Sequence, residues 1–246
     1  MPQQAQIPSL QKVTGEQSLD MEVVTVGAVE ARAGLRSFDG RHDHILEQSF
    51  RLRHCYFVQE RGWVAEDPRS PGRETDRYDE QAVHFALTSG PDVTAYLRAL
   101  PFDPSLGFML DNELSAILSP SERRNLRREG ALELSRLVCG PRKCGSRTKE
   151  RHPLEVLLKS LYRFSKARDF RTFYVVVEPS WLKPFERHFG LPFRIVGNPY
   201  TFPDGTTTVA AVASLHELED GMLRHSLEKF TWYQTETEEP KAKNRP

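Results

Sequence analysis

The stretch that most constrains the fold is a strand–helix–strand succession in the middle of the chain. ALELSRLVCG (131–140) predicts a strand, HPLEVLLKSLYRFSKARDF (152–170) carries the strongest helical period in the sequence, and TFYVVVEP (172–179) is almost continuously apolar. An apolar run of that kind is typical of a strand that is buried on both faces. Because two strands joined through a helix are usually parallel, the sequence predicts a mixed α/β sheet with helices packed on it.

The segments on either side extend this sheet. Four elements are predicted before it: a strand in MEVVTVGAV (21–29), a helix in HDHILEQSFRLRHCYFVQERG (42–62), and a hairpin of AVHFALT (82–88) and VTAYLRAL (93–100). Three more are a helix in SERRNLRREG (121–130), a short helix in SWLKPFERHFG and a last strand in TTTVAAVASL (206–215). We therefore expect one folded domain at residues 21–234, between a flexible extension (1–20) and a charged tail (235–246).

Composition excludes several classes of protein. The 34 lysines and arginines equal the 34 aspartates and glutamates, and zero net charge argues against nucleic acid as the main partner. No apolar run approaches the ~20 residues of a membrane span, and the polar start has no secretory signal pattern. The three cysteines include no C-x-x-C pair and the eight histidines have no zinc-site spacing, so we expect a cytoplasmic protein without a metal.

A cation, two aromatic rings and three carboxylates are expected to meet beyond the first helix. Arg53 and Phe57 are four residues apart and share a helix face, and Trp63 follows just after the helix. The loop RETDRYDEQ (73–81) then carries three carboxylates in six residues, Glu74, Asp76 and Asp79. Taken singly, each of these residues has an ordinary structural interpretation, as a surface charge, a core anchor or part of a solvated loop.

The segment E-L-S-R raises a question of parity. Glu133 and Arg136 are three residues apart, so a regular strand would point them to opposite faces of the sheet. A β-bulge would bring both side chains to one cleft. These charges interrupt a strand that is expected to be buried, where charged groups are normally paired or functional. Arg98, on the strand 93–100, is expected on the same side as Tyr96.

Together these residues resemble the acyl-homoserine-lactone synthases, the autoinducer synthases of bacterial quorum sensing. Five motifs occur in that family's order and spacing: R-x-x-x-F-x-x-x-x-x-W (Arg53, Phe57, Trp63), E-x-D-x-x-D (Glu74, Asp76, Asp79), L-R-x-L-P (Leu97 to Pro101), M-L (Met109, Leu110) and E-x-S-R (Glu133, Ser135, Arg136). The similarity runs from about residue 21 to residue 218. Each motif is weak alone, whereas five in register are fairly specific.

The resemblance implies a fold like that of the GCN5-related N-acetyltransferases, with a V-shaped cleft between the fourth and fifth strands, here 131–138 and 172–178. A bulge in the fourth strand belongs to that fold and would resolve the E-L-S-R parity. The chain departs from the family at Leu114, where a phenylalanine is usual. A neighbouring branch, the long-chain N-acyl amino acid synthases and exosortase-associated acyltransferases, shares much of the pattern and stays an alternative, as does a catalytically inactive binding protein.

The family's reaction gives these residues expected roles. The amine of S-adenosylmethionine attacks an acyl thioester, and its carboxylate then displaces methylthioadenosine to close the lactone; no other cofactor is implied. Three residues are expected to be catalytic, with Glu133 as the base: Glu133, Arg136 and Glu74. Six are expected to bind S-adenosylmethionine: Arg53 at the carboxylate, Asp76 and Asp79 at the cationic groups, Phe57 and Trp63 through cation–π contact, and Arg98 by holding the carboxylates.

The acyl donor is expected on acyl carrier protein or on coenzyme A. Carrier protein is acidic, and the loop GPRKCGSRTKERH (140–152) offers five basic residues for docking: Arg142, Lys143, Arg147, Lys149 and Arg151. The segment 121–130 is a second basic candidate. Val176 and Val177 are expected to line the acyl pocket. A solvated basic loop is the ordinary alternative for 140–152.

Overall fold

An eight-stranded mixed sheet organises the protein. The computed structural model describes residues 13–14, 21–27, 40–89, 91–140, 152–202 and 204–235. The strands are β1 (Val13–Thr14), β2 (Met21–Gly27), β3 (Val83–Ser89), β4 (Asp92–Pro101), β5 (Ala131–Cys139), β6 (Thr172–Val177), β7 (Arg194–Thr201) and β8 (Thr207–Ser214). Their order is β1-β2-β3-β4-β5-β6-β8-β7, and β5 and β6 alone among these neighbours run parallel.

The parallel pair opens into a V. β5 and β6 pair over only four positions, from Ala131 opposite Thr172 to Leu134 opposite Val175. Beyond that point β5 continues to Cys139 beside β4, and β6 continues beside β8. The sequence predicted these strands as the fourth and the fifth. They are β5 and β6 here because the two-residue strand β1, which was not predicted, is counted first. The predicted fold class, a mixed sheet flanked by helices with a cleft between these strands, is confirmed.

Six α-helices lie within the described part of the chain: α1 (Gly40–Arg53), α2 (Pro120–Arg124), α3 (Pro153–Arg168), α4 (Leu182–Pro184), α5 (Leu215–His225) and α6 (Leu227–Gln234). α1 continues as a π-helical turn over His54–Glu60, and α4 continues as another over Phe185–Phe189. α3 is the crossover between β5 and β6. None of the described helices is long and apolar enough to span a membrane.

The prediction of a helix over 121–130 was wrong beyond its first turn. Ser119 caps α2 through a capping box with Glu122, but the helix ends at Arg124. Leu126 is the one buried residue of the segment, so the sequence lacks the apolar stripe that would hold a longer helix. Arg128 binds the carbonyls of Leu126 and Arg123 instead, which fixes the chain as an irregular turn.

Two hydrophobic clusters cover the two faces of the sheet around the cleft. The larger one packs beneath α3, α5 and α6 and includes Leu134, Leu157, Phe173 and Met222. The second lies on the opposite face and includes Leu100, Phe108, Leu110 and Tyr174. β6 supplies alternate residues to each cluster, as strand geometry requires. Glu133 belongs to the face of the second cluster, because its carboxylate binds the amides of Met109 and Leu110 there.

Candidate active site

A bulge in β5 brings the charges of E-L-S-R to one face. Tyr96 pairs with Val138 and Arg98 with Ser135, so two residues of β5, Arg136 and Leu137, oppose only Leu97 of β4. Arg136 has a φ of 55°, the left-handed conformation in which a bulge of this kind is built. The extra residue resets the alternation after Ser135, which allows Arg136 to reach the carboxylates that also bind Arg98. The predicted bulge is confirmed.

Arg53 is bound by two carboxylates and is closed off from solvent. Its Nε donates to Glu74 Oε2 at 2.5 Å, and Nη1 and Nη2 donate to the two oxygens of Asp79 at 2.7 and 3.1 Å. The side chain has 0% exposure. In this structure the guanidinium of Arg53 is engaged by these two carboxylates, and its contact with a substrate carboxylate stays a prediction. Asp79 is likewise occupied, with 8% of its side chain exposed.

Arg98 and Arg136 complete a ring of alternating charges. Arg98 Nη1 donates to Asp76 at 2.6 Å and to Asp79 at 2.8 Å. Arg136 Nη2 donates to Glu74 at 3.0 Å and to Asp76 at 3.1 Å. Three guanidinium groups and three carboxylates thus neutralise one another, which is the condition for keeping such charges in a protein interior.

Only one side of this ring faces the cleft. The side chains of Arg98, Arg53 and Glu74 have 0%, 0% and 2% exposure, whereas Asp76 keeps 21% and Arg136 keeps 15%. The ring therefore presents one carboxylate and one guanidinium side by side. An α-amino acid carries the complementary pair, an ammonium and a carboxylate.

Electrostatics keep all three carboxylates ionised. Burial alone would raise the pKa of Glu74, but Arg136 and Arg53 outweigh it and hold that pKa below its ordinary value. Burial opposes ionisation of Asp79 as well, and Arg53 and Arg98 lower its pKa far below the usual range. The pKa of Asp76 is lowered in the same way, chiefly by Arg98 against burial. Asp76 is thus a permanent anion at neutral pH.

A second layer of polar residues supports the ring. His84 Nε2 lies 2.9 Å from the carbonyl oxygen of Asp79, and His84 Nδ1 lies 2.6 Å from Tyr96 Oη. A carbonyl only accepts, so Nε2 carries the proton and Tyr96 donates to Nδ1. Burial lowers the pKa of His84 to about 4, so its imidazole is neutral at pH 7. The hairpin prediction contained both residues without indicating this role.

Glu133 has the protonation behaviour of a general base. Its two carboxylate oxygens accept from the backbone N–H groups of Met109 at 2.6 Å and Leu110 at 3.1 Å. Burial raises its pKa to about 7, against the lowering effect of those two hydrogen bonds. Met109 also links it to the charge ring, because Arg98 Nη2 donates to Met109 Sδ at 3.2 Å. The M-L motif therefore holds Glu133 beside the ring.

Aromatic residues from the end of α1 form the wall next to the ring. Arg136 lies over Phe57 with 5.4 Å between its Cζ and the ring centroid, and Phe57 and Trp63 are 6.1 Å apart. Trp63 is 37% exposed. The structure thus brings together the two aromatic residues and the charge ring that the sequence placed near one another.

The two valines predicted to line the acyl pocket lie on different faces of the sheet, and the residues predicted to dock the acyl carrier are not described by the structure. Val176 packs against the second cluster, on the face of Glu133, whereas Val177 packs against the larger cluster on the other face. The two valines lie on opposite faces because successive residues of a strand point to opposite sides, and an acyl pocket that both line stays a prediction. The docking residues Arg142, Lys143, Arg147, Lys149 and Arg151 lie outside the described residues. In the second basic segment, Arg123, Arg124 and Arg128 line a cavity of about 450 Å³.

The sheet topology and the position of the site are typical of one class of protein. A mixed sheet whose one parallel pair splays apart, with a bulge in the strand before the opening, is the acetyltransferase-like α/β architecture. The charged ring and Glu133 lie where that cleft opens. No group of three or more His, Cys, Asp or Glu residues in the described ranges could hold a metal ion.

Comparison with known proteins agrees with this class. No family model matches the chain. Over 62 residues, 24% of this chain, it is 45% identical to the isovaleryl-homoserine lactone synthase of Bradyrhizobium diazoefficiens, and the match spans only 27% of that relative. The structure of BjaI, a CoA-dependent acyl-homoserine lactone synthase with SAM and isopentyl-CoA, superposes with a TM-score of 0.59 and 23% identity, covering 85% of this chain and 96% of that one.

A second kind of enzyme shares the fold. FeeM, an N-acyl amino acid synthase from uncultured soil microbes, superposes with a TM-score of 0.52 and 13% identity, covering 85% of this chain and 98% of that one. The resemblance to the acyl-homoserine-lactone synthases that the motifs indicated is confirmed, in fold over most of the chain and in sequence over 62 residues. The fold by itself fits both kinds of enzyme.

Proposed function

We propose that the chain is an N-acyltransferase that acylates the amine of S-adenosylmethionine and closes the product to an N-acyl-homoserine lactone. The observation that carries this proposal is the pair of Asp76 and Arg136, the two partly exposed groups of an otherwise buried charge ring, next to Phe57 and Trp63. The pair suits the ammonium and the carboxylate of the acceptor. The aromatic rings suit its sulfonium, since cations bind the faces of such rings.

The binding roles follow from exposure. Arg136 takes the role that the sequence assigned to Arg53 and binds the acceptor's carboxylate, while Asp76 binds its ammonium. Arg53, Arg98, Glu74 and Asp79 act indirectly, by fixing these two groups in place. A buried and fully paired scaffold of this kind positions a site without touching the substrate.

The chemistry begins with proton removal. An amine with a pKa of about 8 is mostly protonated at neutral pH, so it needs a base, and Glu133 with a pKa of about 7 is the proposed one. Because Glu133 is only 1% exposed, it is proposed to take the proton through water. Glu133 takes one proton from the ammonium and passes it to solvent. The free amine attacks the thioester carbonyl, the N–C bond forms, the C–S bond of the thioester breaks, and a second proton of the nitrogen leaves with the thiol. The carboxylate then attacks the γ-carbon, and the C–S bond to the sulfonium breaks to release neutral methylthioadenosine.

The acyl donor is proposed to be a thioester of coenzyme A or of acyl carrier protein. Support for coenzyme A comes from BjaI, whose structure is described as CoA-dependent with isopentyl-CoA bound. Support for carrier protein comes from the basic loop 140–152 of this sequence. Comparing turnover of the same acyl group on the two carriers distinguishes the donors.

The acyl chain is proposed to lie against the second cluster, on the side of Val176. Val176→Phe should shift the preferred donor to a chain shorter by roughly two to four carbons, because the added ring fills space on the face of Glu133. Val177→Phe is the matched control, since it adds the same volume on the opposite face. Competition between C4 and C16 thioesters measures the shift. Equal shifts in both variants would contradict this placement.

N-acylation of a free amino acid is the second candidate, because the Asp76–Arg136 pair fits any α-amino acid and FeeM shares the fold. The two functions leave different products in cells. Mass spectrometry of extracts from cells that express the chain should detect N-acyl-homoserine lactones, with an Arg136→Met strain as the negative control. Extracts that contain N-acyl amino acids and no lactone would establish the second function instead.

A further inference from the structure

The face of Trp63 already carries a cation from the protein itself. The guanidinium carbon of Arg61 lies 4.8 Å from the centroid of the Trp63 ring and 5.3 Å from that of Tyr56. Arg61 Nε and Nη2 also donate to Tyr56 Oη at 3.2 and 3.0 Å. Arg61 therefore covers one face of the indole that is proposed to bind the acceptor's sulfonium.

Two contacts tie this arrangement to the opposite wall of the cleft. Trp63 Nε1 donates to Thr206 Oγ1 at 3.1 Å, and Arg61 Nη1 lies 3.7 Å from a carboxylate oxygen of Glu178. Glu178 follows β6 directly and Thr206 directly precedes β8, whereas Arg61 and Trp63 follow α1. Since β5 and β6 have already separated here, these contacts bridge the two halves of the sheet across the open side of the V.

Neither bridging contact is strong. Arg61 and Glu178 keep 34% and 28% side-chain exposure, and surface ion pairs of this kind contribute little to stability. Thr206 is itself held by Asp204, which accepts from both its backbone N–H and its hydroxyl. Asp204 thus fixes Thr206 in place, whereas the ion pair across the cleft is easily broken. A contact that must open for each substrate needs this property.

We propose that Arg61 is an internal cation that covers Trp63 and is displaced by the cation of the acceptor, with Thr206 and Glu178 as the catch that holds Trp63 and Arg61 in place. The identity of that cation as a sulfonium rests on the proposed function. Two cations on one indole repel each other, so Arg61 opposes entry of a cationic ligand and leaves a neutral one less affected.

Calorimetric titration of Arg61→Gln tests the displacement. We expect the variant to bind S-adenosylmethionine about 2- to 5-fold more tightly than the wild type, the range of an exposed cation–π contact. Binding of S-adenosylhomocysteine, a neutral thioether, should change much less. Arg69→Gln removes the same charge from a side chain that is 91% exposed and controls for long-range electrostatics. If Arg61→Gln leaves the ratio of the affinities for S-adenosylmethionine and S-adenosylhomocysteine as it is in the wild type, the proposal is overturned.

A second measurement does not depend on the proposed enzyme activity. The chain has three tryptophans, so the indole N–H region of a ¹⁵N spectrum is simple enough to follow Trp63. Trimethylsulfonium chloride should shift the Trp63 signal at a several-fold lower concentration in Arg61→Gln than in the wild type. If it does so while S-adenosylmethionine fails to bind, the displacement stands and the acceptor is wrong. If Trp63 ignores trimethylsulfonium in the variant, the displacement is wrong.

The catch is tested in the same spectra. Thr206→Val removes the acceptor of the Trp63 N–H and should speed exchange of that proton with solvent by several-fold. Thr201→Val is the control, because Thr201 lies in the same hairpin and shares a hydrogen bond with Thr207 instead. Equal exchange rates of the Trp63 indole proton in the two variants would show that the hydrogen bond to Thr206 does not hold Trp63 in place.

Discussion

Replacing Glu133 with glutamine should lower turnover by about 10²- to 10⁴-fold, the usual contribution of a general base. The reason is the pKa of about 7 that burial gives this carboxyl, which lets it accept a proton at neutral pH and release it again. The wild-type rate should rise with pH through about 7, as Glu133 ionises, and the variant should lack that limb. A pH–rate profile of both proteins measures this directly.

The control has to separate chemistry from folding. Glu133 also binds two backbone amides, and a glutamine side chain offers an oxygen to only one of them. Glu155→Gln is a matched variant, because it removes a largely buried carboxylate that pairs with Lys229 at 2.7 Å outside the site. Glu155→Gln should keep its activity. A Glu133→Gln protein that retains full turnover and the same pH limb would exclude Glu133 as the base.

The second large effect concerns stability. Asp79→Asn should lower the free energy of unfolding by roughly 3–5 kcal/mol, because it leaves Arg53 and Arg98 buried with less compensating charge. Asp67→Asn is the matched control, since Asp67 pairs with the exposed Arg69 and surface pairs of this kind contribute little to stability. Denaturant unfolding gives both values. Equal stabilities of the two variants would mean that the ring is not a structural unit.

The sequence predicted the strands and the helix that carry the site, but it did not predict which of the charged side chains would be buried. The parity of Glu133 and Arg136 required a bulge, and the structure has it. Nothing in the spacing distinguishes Arg53, which is enclosed by Glu74 and Asp79, from Arg136, which keeps part of its side chain exposed, because burial depends on how α1 packs against β4. Arg61 carried no signal of its own, since its contacts with Trp63 and Glu178 arise only when distant segments meet across the cleft.

The C-terminal elements show what a closer inspection of the sequence could have found. β7 was not predicted, because Gly197 and Pro199 interrupt its pattern; it is an edge strand, where proline is tolerated. α5 was not predicted either, although Ser214 and Glu217 form the capping box that starts it. In β6 the continuous apolar run gives no sign of which face would hold an acyl chain, and the structure places Val176 and Val177 on opposite faces.

The most direct test of the proposed reaction is the release of methylthioadenosine. Purified protein is incubated with S-adenosylmethionine, an acyl-thioester series from C4 to C16 and free tyrosine as a competing acceptor, and the products are separated by chromatography. We expect methylthioadenosine and N-acyl-homoserine lactone in equal amounts, only when a thioester is present, and no acylated tyrosine. Acylated tyrosine without methylthioadenosine, for every donor, would contradict the proposed reaction and assign the chain to amino acid acylation.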